Sequence, residues 1–569
     1  MSAGDLSRRE LLTGLGCLAT ATLAAGASPS GVERDPAPPQ GDRPPAAEPE
    51  ILTRFSLREQ HVRLTQVLLQ DQSDNHNELV QTREWLLHPA EKLELSGNLF
   101  VLEHVLTGRG RVLLKLEPLP HARPQRPAAD LRVLPRGDTG FDVTLFGGSG
   151  LGQPAAESFV DLAYEDGVVG RTRALQQFQR SRRPAHPEHR TPRFYSNTWG
   201  DRSRDTRINA AFIAQEIEAA ARLGVEVVQI DDGWQSGISS NSARSAGKGV
   251  WEGFWASRPD YWVPDPAKFP QGLKPLVDQA ARHGLKLGLW FAADSVHEFA
   301  NWEKDAACLV AFHRELGIQH FKIDSVYAPT ALAHANLRRF FHRVLADTQG
   351  AVVFDLDVTA SLRPGYFGLL GTGPLFVENR YTDWHRYWPH QTLRNLWQLA
   401  WWVDPARLRM EFLNPARNTE KYPDDPLAPA RHAPAALFAA IFCSNPLGWF
   451  ECSSLPPGFI EEVAPLVRTW KTVRDALFAG TIVPLGGAPD GVAWTGFASL
   501  AADGRSALVL AFRELNPSAS NRLAVPGLSA AAGPTAERLA GTGAATWRDG
   551  ALDLQIDHPL GWSLWRLRG

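Results

Sequence analysis

Acidic residues stand where three apolar, strand-like segments of the chain end. The three motifs are DDGW at 231–234, FKID at 321–324 and ENRYTD at 378–383. Paired carboxyl groups, one ionised and one protonated, are what enzymes use to hydrolyse a glycosidic bond. A spacing of about 5–5.5 Å leads to retention of the anomeric configuration, and about 6.5–9.5 Å leads to inversion. The motifs are therefore candidates for glycoside hydrolysis, provided that the fold brings them together.

The segments that carry these motifs follow a repeating βα pattern. From residue 193 to about 473, apolar strand-like runs alternate with amphipathic segments of helix length, which is typical of a parallel sheet. Gly224 and Gly284 follow two predicted helices at the position where a helix usually stops. We predict an α/β fold, a (β/α)8 TIM barrel, with strands at 194–198, 225–231, 285–291, 318–324, 351–356, 375–378, 409–413 and 447–450. Because active sites of such barrels lie at the carboxyl ends of the strands, the three acidic motifs should meet at that end of the barrel, which we call the mouth.

The regions on either side of the barrel show a different pattern. Residues 51–190 contain short alternating segments separated by Gly, Asp and Pro, which predicts an N-terminal β-sandwich. Residues 479–569 return to short strands and turns, which predicts a small C-terminal antiparallel β domain. The catalytic barrel is therefore expected to occupy residues 191–478.

The N-terminus has the features of an export signal. Arg8 and Arg9 precede an apolar run from residue 15 to 25, and small residues follow it at 25–27. Residues 1–27 resemble a twin-arginine signal peptide, and the run is shorter than the roughly 20 residues that a membrane anchor needs. Residues 28–50 are rich in Pro and charge and are expected to form a disordered linker. We predict a periplasmic or secreted bacterial protein that is free of the membrane after signal cleavage.

Composition argues against several classes of function. The chain has 59 Lys and Arg against 62 Asp and Glu, so no basic surplus indicates binding to nucleic acid or to an anionic membrane. No zinc-spaced Cys/His cluster, P-loop or convincing dinucleotide fingerprint is found, and no metal or cofactor is expected. Four cysteines exclude a disulfide scaffold, although pairing of Cys443 with Cys452 stays open. The 19 Trp against 8 Tyr hint at sugar binding, since indole offers a flat apolar face.

The motifs also support a family resemblance. FKID at the end of the fourth strand resembles the nucleophile motif of the melibiase family of α-galactosidases, and DDGW is similar to that family's acidic pair, which holds sugar hydroxyls. Asp383, followed by Trp388, LRN at 393–395 and FLNP at 412–415, resembles the family's acid/base segment. The resemblance implies retaining double displacement without a cofactor, with Asp324 as the nucleophile and Asp383 as the general acid/base.

Further residues are predicted to contact the substrate, which we expect to be an oligosaccharide or another glycoside. Lys322 lies two residues before Asp324 on the same strand face, where it can keep that carboxylate ionised. Glu378 lies at the strand end itself and stays an alternative general acid to Asp383. The predicted contacts are Asp231, Asp232, Lys322, Trp199, Trp234, Trp290, Glu378 and Arg380. One of the two adjacent aspartates is expected to brace a turn instead.

Departures from the family pattern leave the sugar open. Asn379 stands four residues before Asp383, where the family commonly has Arg, and DLDVT at 355–359 replaces a frequent Cys-containing loop. The loop from 291 to 318, where the family often places substrate contacts, is short. The alternatives are another α-glycoside such as an α-N-acetylgalactosaminide, a β-L-arabinopyranoside, sugar transfer, or a non-catalytic exported carbohydrate-binding protein. The sequence leaves the oligomeric state undetermined.

Overall fold

The computed structural model describes residues 50–569, apart from residues 59, 75, 138–139 and 529–532. The predicted signal peptide and all but the last residue of the predicted linker lie outside the described residues. Among the helices of the described part, none has the length and apolar character to cross a bilayer.

The N-terminal strands form two antiparallel sheets that pack face to face. One sheet has the order β1-β8-β7-β4 and the other β3-β2-β5-β6-β9. Leu64 and Leu102 of the second sheet share a buried core with Val133 and Val143 of the first, as alternating inward side chains require. The strands are β1 (Ile51–Leu57), β2 (Val62–Leu69), β3 (Val80–Leu86), β4 (Leu93–Leu95), β5 (Leu99–His104), β6 (Arg109–Lys115), β7 (Leu131–Arg136), β8 (Gly140–Phe146) and β9 (Phe159–Tyr164).

Eight parallel strands then close into a barrel, which confirms the predicted fold class. Tyr195 on the first strand pairs with Val227 on the second and with Leu447 on the eighth, so the sheet has no open edge. Every predicted strand segment overlaps one strand of the barrel, with ends that differ by a few residues. The strands are β10 (Tyr195–Asn197), β11 (Val227–Ile230), β12 (Lys286–Ala292), β13 (His320–Asp324), β14 (Val353–Asp357), β15 (Leu375–Phe376), β16 (Leu408–Leu413) and β17 (Asn445–Trp449).

Helices cover the outside of the barrel, and α3 shows how the sequence defines them. The Asn209 side chain accepts a hydrogen bond from Phe212 N at the start of α3, and Gly224 ends the helix with φ 93°. Residues 358–374, which link β14 to β15 and are all described, contain no helix. The helices are α1 (Ala155–Ser158), α2 (Gly167–Ser181), α3 (Ala210–Leu223), α4 (Phe254–Ser257), α5 (Lys274–Arg282), α6 (Val296–Phe299), α7 (Trp302–Leu316), α8 (Ala331–Asp347), α9 (Pro389–Leu399), α10 (Pro434–Ala440) and α11 (Phe459–Ala479).

The C-terminal strands form a five-stranded antiparallel sheet, β18-β19-β20-β25-β22, and a three-stranded sheet, β21-β24-β23. Helix α2 fixes the barrel to this region. Gln176 donates to the carbonyl of Ile482 at 2.7 Å, and Gln179 donates to that of Trp402 at 3.0 Å. The strands are β18 (Thr481–Gly486), β19 (Trp494–Leu500), β20 (Ser506–Arg513), β21 (Ser520–Ala524), β22 (Thr535–Gly541), β23 (Ala544–Arg548), β24 (Ala551–Gln555) and β25 (Gly561–Arg568).

Candidate active site

Asp324 is the last residue of β13, and donors hold both oxygens of its carboxylate. Oδ1 accepts the backbone N–H of Ser325 at 2.7 Å and lies 3.1 Å from Nη2 of Arg363. Oδ2 accepts the indole N–H of Trp290 at 3.3 Å. Burial by itself raises the pKa of Asp324, but Arg363 and then Lys322 outweigh it and bring the pKa below its ordinary value. The carboxylate is therefore ionised at neutral pH, as a nucleophile must be.

Lys322 points into the same mouth and joins two further carboxylates. Its Nζ lies 3.1 Å from Oδ2 of Asp231 and 3.8 Å from Oδ2 of Asp357. The ammonium also lies over the rings of Phe376 and Trp449, 5.1 and 4.8 Å from their centroids. Burial by itself lowers the pKa of Lys322, but the negative charges of Asp231, Asp357 and Asp324 outweigh it and raise the pKa, so the group is a permanent cation at the floor of the mouth.

The two adjacent aspartates after β11 have different surroundings. Asp231 accepts from Asn197 Nδ2 at 2.7 Å and faces Lys322. Asp232 instead accepts from Gln235 at 2.7 Å and from Ser239, both in the loop that follows. Burial raises the pKa of Asp232 to about 7. The structure thus places Asp231 with the mouth residues, whereas Asp232 braces the loop, the role expected for one of the pair, and its contact with a substrate stays a prediction.

Asp357 and Arg363 belong to the mouth but were not among the residues predicted from the sequence. Asp357 ends β14 and accepts from Nη1 of Arg363 at 2.7 Å, and burial together with the nearby Asp324 raises the pKa of Asp357. Asp355 and Asp357 are two residues apart on β14, so both face the barrel interior. This spacing could have indicated Asp357 as a mouth residue. Arg363 lies in the irregular segment 358–374, where no periodic pattern points to it.

A loop of the N-terminal sandwich also reaches the mouth. Oδ1 of Asp74 accepts from Asn379 Nδ2 at 2.9 Å, and the carbonyl of Asp74 accepts from Arg386. Burial, helped by Asp357, raises the pKa of Asp74 to about 6. Nothing in the local sequence around Asp74 predicts this contact, because it depends on how two domains pack.

Asp383 lies in the loop after β15, and a chain of aromatic contacts joins it to the residues around Lys322. Its Oδ1 lies 3.8 Å from Nη1 of Arg202, and its side chain is 29% exposed. The guanidinium of Arg202 lies over the rings of Tyr381 and Trp384, 4.4 and 4.3 Å from their centroids. Tyr381 in turn packs 6.0 Å from Trp449, the ring beneath Lys322. The predicted acid/base is thus at the rim of the same barrel end.

Glu378 and Arg380 both make contacts within the protein. Glu378 is fully buried, its Oε1 accepts from Asn395 of α9 at 2.6 Å, and burial raises its pKa. Arg380 donates to the carbonyls of Ser73 at 2.5 Å and His76 at 2.7 Å. Glu378 therefore fixes a helix to the barrel, and Arg380 fixes the sandwich loop, and their contacts with a substrate stay predictions.

The three predicted tryptophans also differ in position. Trp290 donates to Asp324, as described above. Trp234 is fully buried and donates to the backbone carbonyl of Trp290 at 2.9 Å, and Trp199 packs in a buried cluster with Phe376 and Trp449. Of the three, only Trp290 contacts a candidate carboxylate, and Trp234 supports it from behind.

The described residues contain neither a metal site nor a disulfide bond. In the described part of the chain, no group of three or more His, Cys, Asp and Glu side chains has the arrangement of a metal site. Cys443 and Cys452, whose pairing the sequence left open, are both free and buried, and burial raises the pKa of both thiols.

Sequence comparison finds a family match and several curated relatives. Residues 157–307 match the Melibiase family model, a stretch that includes Asp231 and Trp290 and ends before Asp324. An α-galactosidase from Escherichia coli is 28% identical over 132 residues, which is 23% of this chain and 16% of the relative. The α-galactosidase AgaA from Geobacillus stearothermophilus is 30% identical over 143 residues, 24% of this chain and 17% of the relative. The chain thus aligns with only about a sixth of the length of these relatives.

Solved structures share the fold over most of the chain. The GH36 α-galactosidase AgaA from Geobacillus stearothermophilus superimposes with a TM-score of 0.64 at 14% identity, covering 90% of this chain and 76% of that protein. An AgaA variant solved in complex with raffinose gives a TM-score of 0.63 at 15% identity, with the same coverage. At these identities the superpositions show only that the fold is shared. The match to the family model is a similarity of sequence. The predicted resemblance to the melibiase family is therefore confirmed, and residues 157–307 are the part of the chain that matches the family.

Proposed function

We propose that the chain is a retaining glycoside hydrolase that releases terminal α-galactoside-like residues. The observation that carries the proposal is Asp324, an ionised carboxylate at the end of the fourth barrel strand with donors on both oxygens. The Melibiase match and the α-galactosidase relatives support the reaction type and the sugar class. Because the chain aligns with a small share of those relatives, its own activity has to be measured.

The reaction proceeds by double displacement. Asp324 attacks the anomeric carbon while Asp383 donates a proton to the departing oxygen, which leaves a covalent glycosyl-enzyme. Asp383 then takes a proton from water, the water oxygen attacks the anomeric carbon, and the bond to Asp324 breaks. Two inversions at one carbon give net retention. Lys322 as donor and Asp231 as acceptor are placed to bind hydroxyls of the sugar attacked by Asp324.

One feature beside Asp324 bears on which sugar is bound. Asp357 and Arg363 form an ion pair at 2.7 Å beside Asp324. Asp357 belongs to residues 355–359, where this chain departs from the melibiase pattern. This pair offers additional polar groups to a sugar substituent. A panel of aryl α- and β-glycosides, including α-galactoside, α-N-acetylgalactosaminide and β-L-arabinopyranoside, identifies the sugar, and proton NMR of the first-formed product anomer tests retention.

Azide rescue assigns the two carboxyl groups separately. In Asp324→Gly, azide occupies the space of the nucleophile and attacks an activated aryl α-galactoside once, so β-galactosyl azide is expected. In Asp383→Gly, Asp324 still forms the intermediate, and azide then gives α-galactosyl azide. Glu378→Gln is the matched control, for which we expect near wild-type turnover without rescue.

The outcomes of this experiment separate the candidates. Wild-type turnover in Asp324→Gly contradicts the nucleophile assignment, and so does an α-azide product from that variant. Loss of turnover in Glu378→Gln, together with near wild-type turnover in Asp383→Gly, makes Glu378 the acid/base. Calorimetric binding of galactosides by the wild type without any hydrolysis supports the carbohydrate-binding alternative instead.

A further inference from the structure

We propose that Glu411 is a positioning residue for Asp383, and that Glu411 and Glu378 hold one proton between them at neutral pH. This role rests on the proposed function, in which Asp383 is the general acid/base, and extends it to the groups that keep that residue in place. It requires no contact between Glu411 and the substrate.

The carboxyl group of Glu411 binds the backbone turn that leads to Asp383. Glu411 lies on β16 and is fully buried, and its Oε1 accepts the backbone N–H of Arg380. The backbone N–H of Asn379 is a second donor to this carboxyl. Asn379 has a left-handed backbone conformation, with φ 63°, which is costly for a residue other than glycine. Because such a turn keeps its shape only when its surroundings determine it, Glu411 helps to fix the position of Asp383.

A second buried carboxyl group, that of Glu378, lies close to Glu411. The pairing of β15 with β16 places Phe376 beside Arg409, and Glu378 and Glu411 each follow two residues later. Burial and then the charge of Glu378 raise the pKa of Glu411 well above its ordinary value. Two neighbouring carboxyl groups in a buried site cannot both ionise readily, so the pair retains a proton where an exposed glutamate has none.

The hydrogen bonds of the pair leave one oxygen unused on each side chain. Oε1 of Glu378 accepts from Asn395, and Oε1 of Glu411 accepts from Arg380. Oε2 of both glutamates is buried and has no hydrogen-bond partner among the described residues. A buried acceptor without a donor is costly, and one proton held by the two carboxyl groups supplies the missing donor. The single negative charge that is left is stabilised by the nearby Arg380.

Three buried tyrosines also face the pair. Tyr381 and Tyr387 lie near Glu411, and Tyr366 lies near Glu378. Burial raises the pKa of all three phenols well above the ordinary value of 10, so they stay neutral. The charge at this position is therefore set by the two glutamates and Arg380.

Infrared difference spectra test the shared proton. At about pH 8 an ordinary glutamate is ionised, whereas the pair should show the C=O stretching band of one protonated carboxylic acid. Glu411→Gln and Glu378→Gln should each abolish the same band, because the amide takes the place of the protonated carboxyl group and the remaining glutamate is ionised. A band that survives in Glu378→Gln, or the absence of any difference between the wild type and both variants, overturns the shared proton.

Two aryl α-galactosides with different leaving groups test the positioning role. Phenol has to be protonated as it departs, whereas dinitrophenolate departs without a proton. In Glu411→Leu, the ratio of kcat/KM for the phenyl substrate to that for the dinitrophenyl substrate should fall about 10- to 100-fold, as part of the roughly 10²- to 10⁴-fold effect of general acid catalysis. Glu411→Gln keeps an acceptor oxygen and should recover most of this ratio.

Glu216→Leu is the matched control, because Glu216 is a buried carboxyl group that accepts from the backbone of Cys452 and not from the turn before Asp383. It should leave the ratio unchanged. If Glu411→Leu does not fold, Glu411→Asp, which draws the carboxyl group back by one methylene, takes its place. An unchanged ratio in the variant that folds overturns the positioning role and leaves the proposed function intact. Hydrolysis of neither galactoside by the wild type overturns the proposed function and the positioning role together, and the infrared bands still decide whether the proton is shared.

Discussion

Replacement of Arg363 by Met should move the acid limb of the pH profile of kcat/KM to higher pH. Arg363 is the strongest favourable influence on the ionised form of Asp324. Two unit charges 3.1 Å apart attract by about 5 kcal/mol at an effective dielectric constant of about 20. Removal of one member of a buried ion pair costs about 3–5 kcal/mol, which is the same range. Without Arg363, Asp324 therefore binds a proton more readily, and its pKa rises.

The sign of the effect follows from the folded-state pKa. The pKa of Asp324 is below its ordinary value of 3.8, so the ionised group stabilises the fold above that pH, and this stability is lost as pH falls through the lowered pKa. In Arg363→Met that charge no longer offsets burial, so the ionised Asp324 contributes less stability at neutral pH. The variant should therefore be less stable than the wild type at neutral pH, and the difference should shrink at acid pH.

Asp357→Asn is the matched control. Burial and the nearby Asp324 raise the pKa of Asp357, so Asp357 is already uncharged in the acid range where Asp324, with its lowered pKa, takes up a proton, and the acid limb should stay in place. The assay is kcat/KM for an aryl α-galactoside from pH 3 to 8, with circular dichroism at each pH. An acid limb that stays in place in Arg363→Met, or one that moves equally in both variants, refutes the electrostatic argument.

Three further predictions concern other parts of the molecule. Asp232→Asn should gain thermal stability relative to the wild type as pH rises from about 4 to 7, because the pKa of Asp232 is raised from 3.8 to about 7 and its ionisation opposes folding. Equal differences at these two pH values contradict this. Gly200→Ala should destabilise the protein by about 1–3 kcal/mol, since the added Cβ collides with the carbonyl of Trp449; an unchanged unfolding midpoint in denaturant contradicts it. The double change Arg8→Lys and Arg9→Lys should retain the protein in the cytoplasm of a host with twin-arginine export, as measured by fractionation, and unchanged export rules out that route.

Local sequence patterns predict the barrel fold and some of the residues of the candidate site. The eight barrel strands are short apolar runs, and stops such as Gly224, with φ 93°, separate helices from strands. This information is local, because one residue's neighbours along the chain determine whether it can lie in a strand or end a helix. Asp231 and Asp324 could be predicted as mouth residues for the same reason: each stands at the end of a strand, and strand ends meet at one side of a barrel.

Tertiary structure alone decided which polar residues belong to the mouth. Asp231 and Asp232 are adjacent in sequence, yet one faces Lys322 and the other braces a loop. Arg363 and Asp74 come from an irregular segment and from another domain, and both join the mouth through contacts distant in sequence. Loop conformation and domain packing depend on such contacts, which no periodicity of the local sequence records. The sequence therefore determined the barrel and its nucleophile candidate, and the packing of loops on the barrel determined the charges around it.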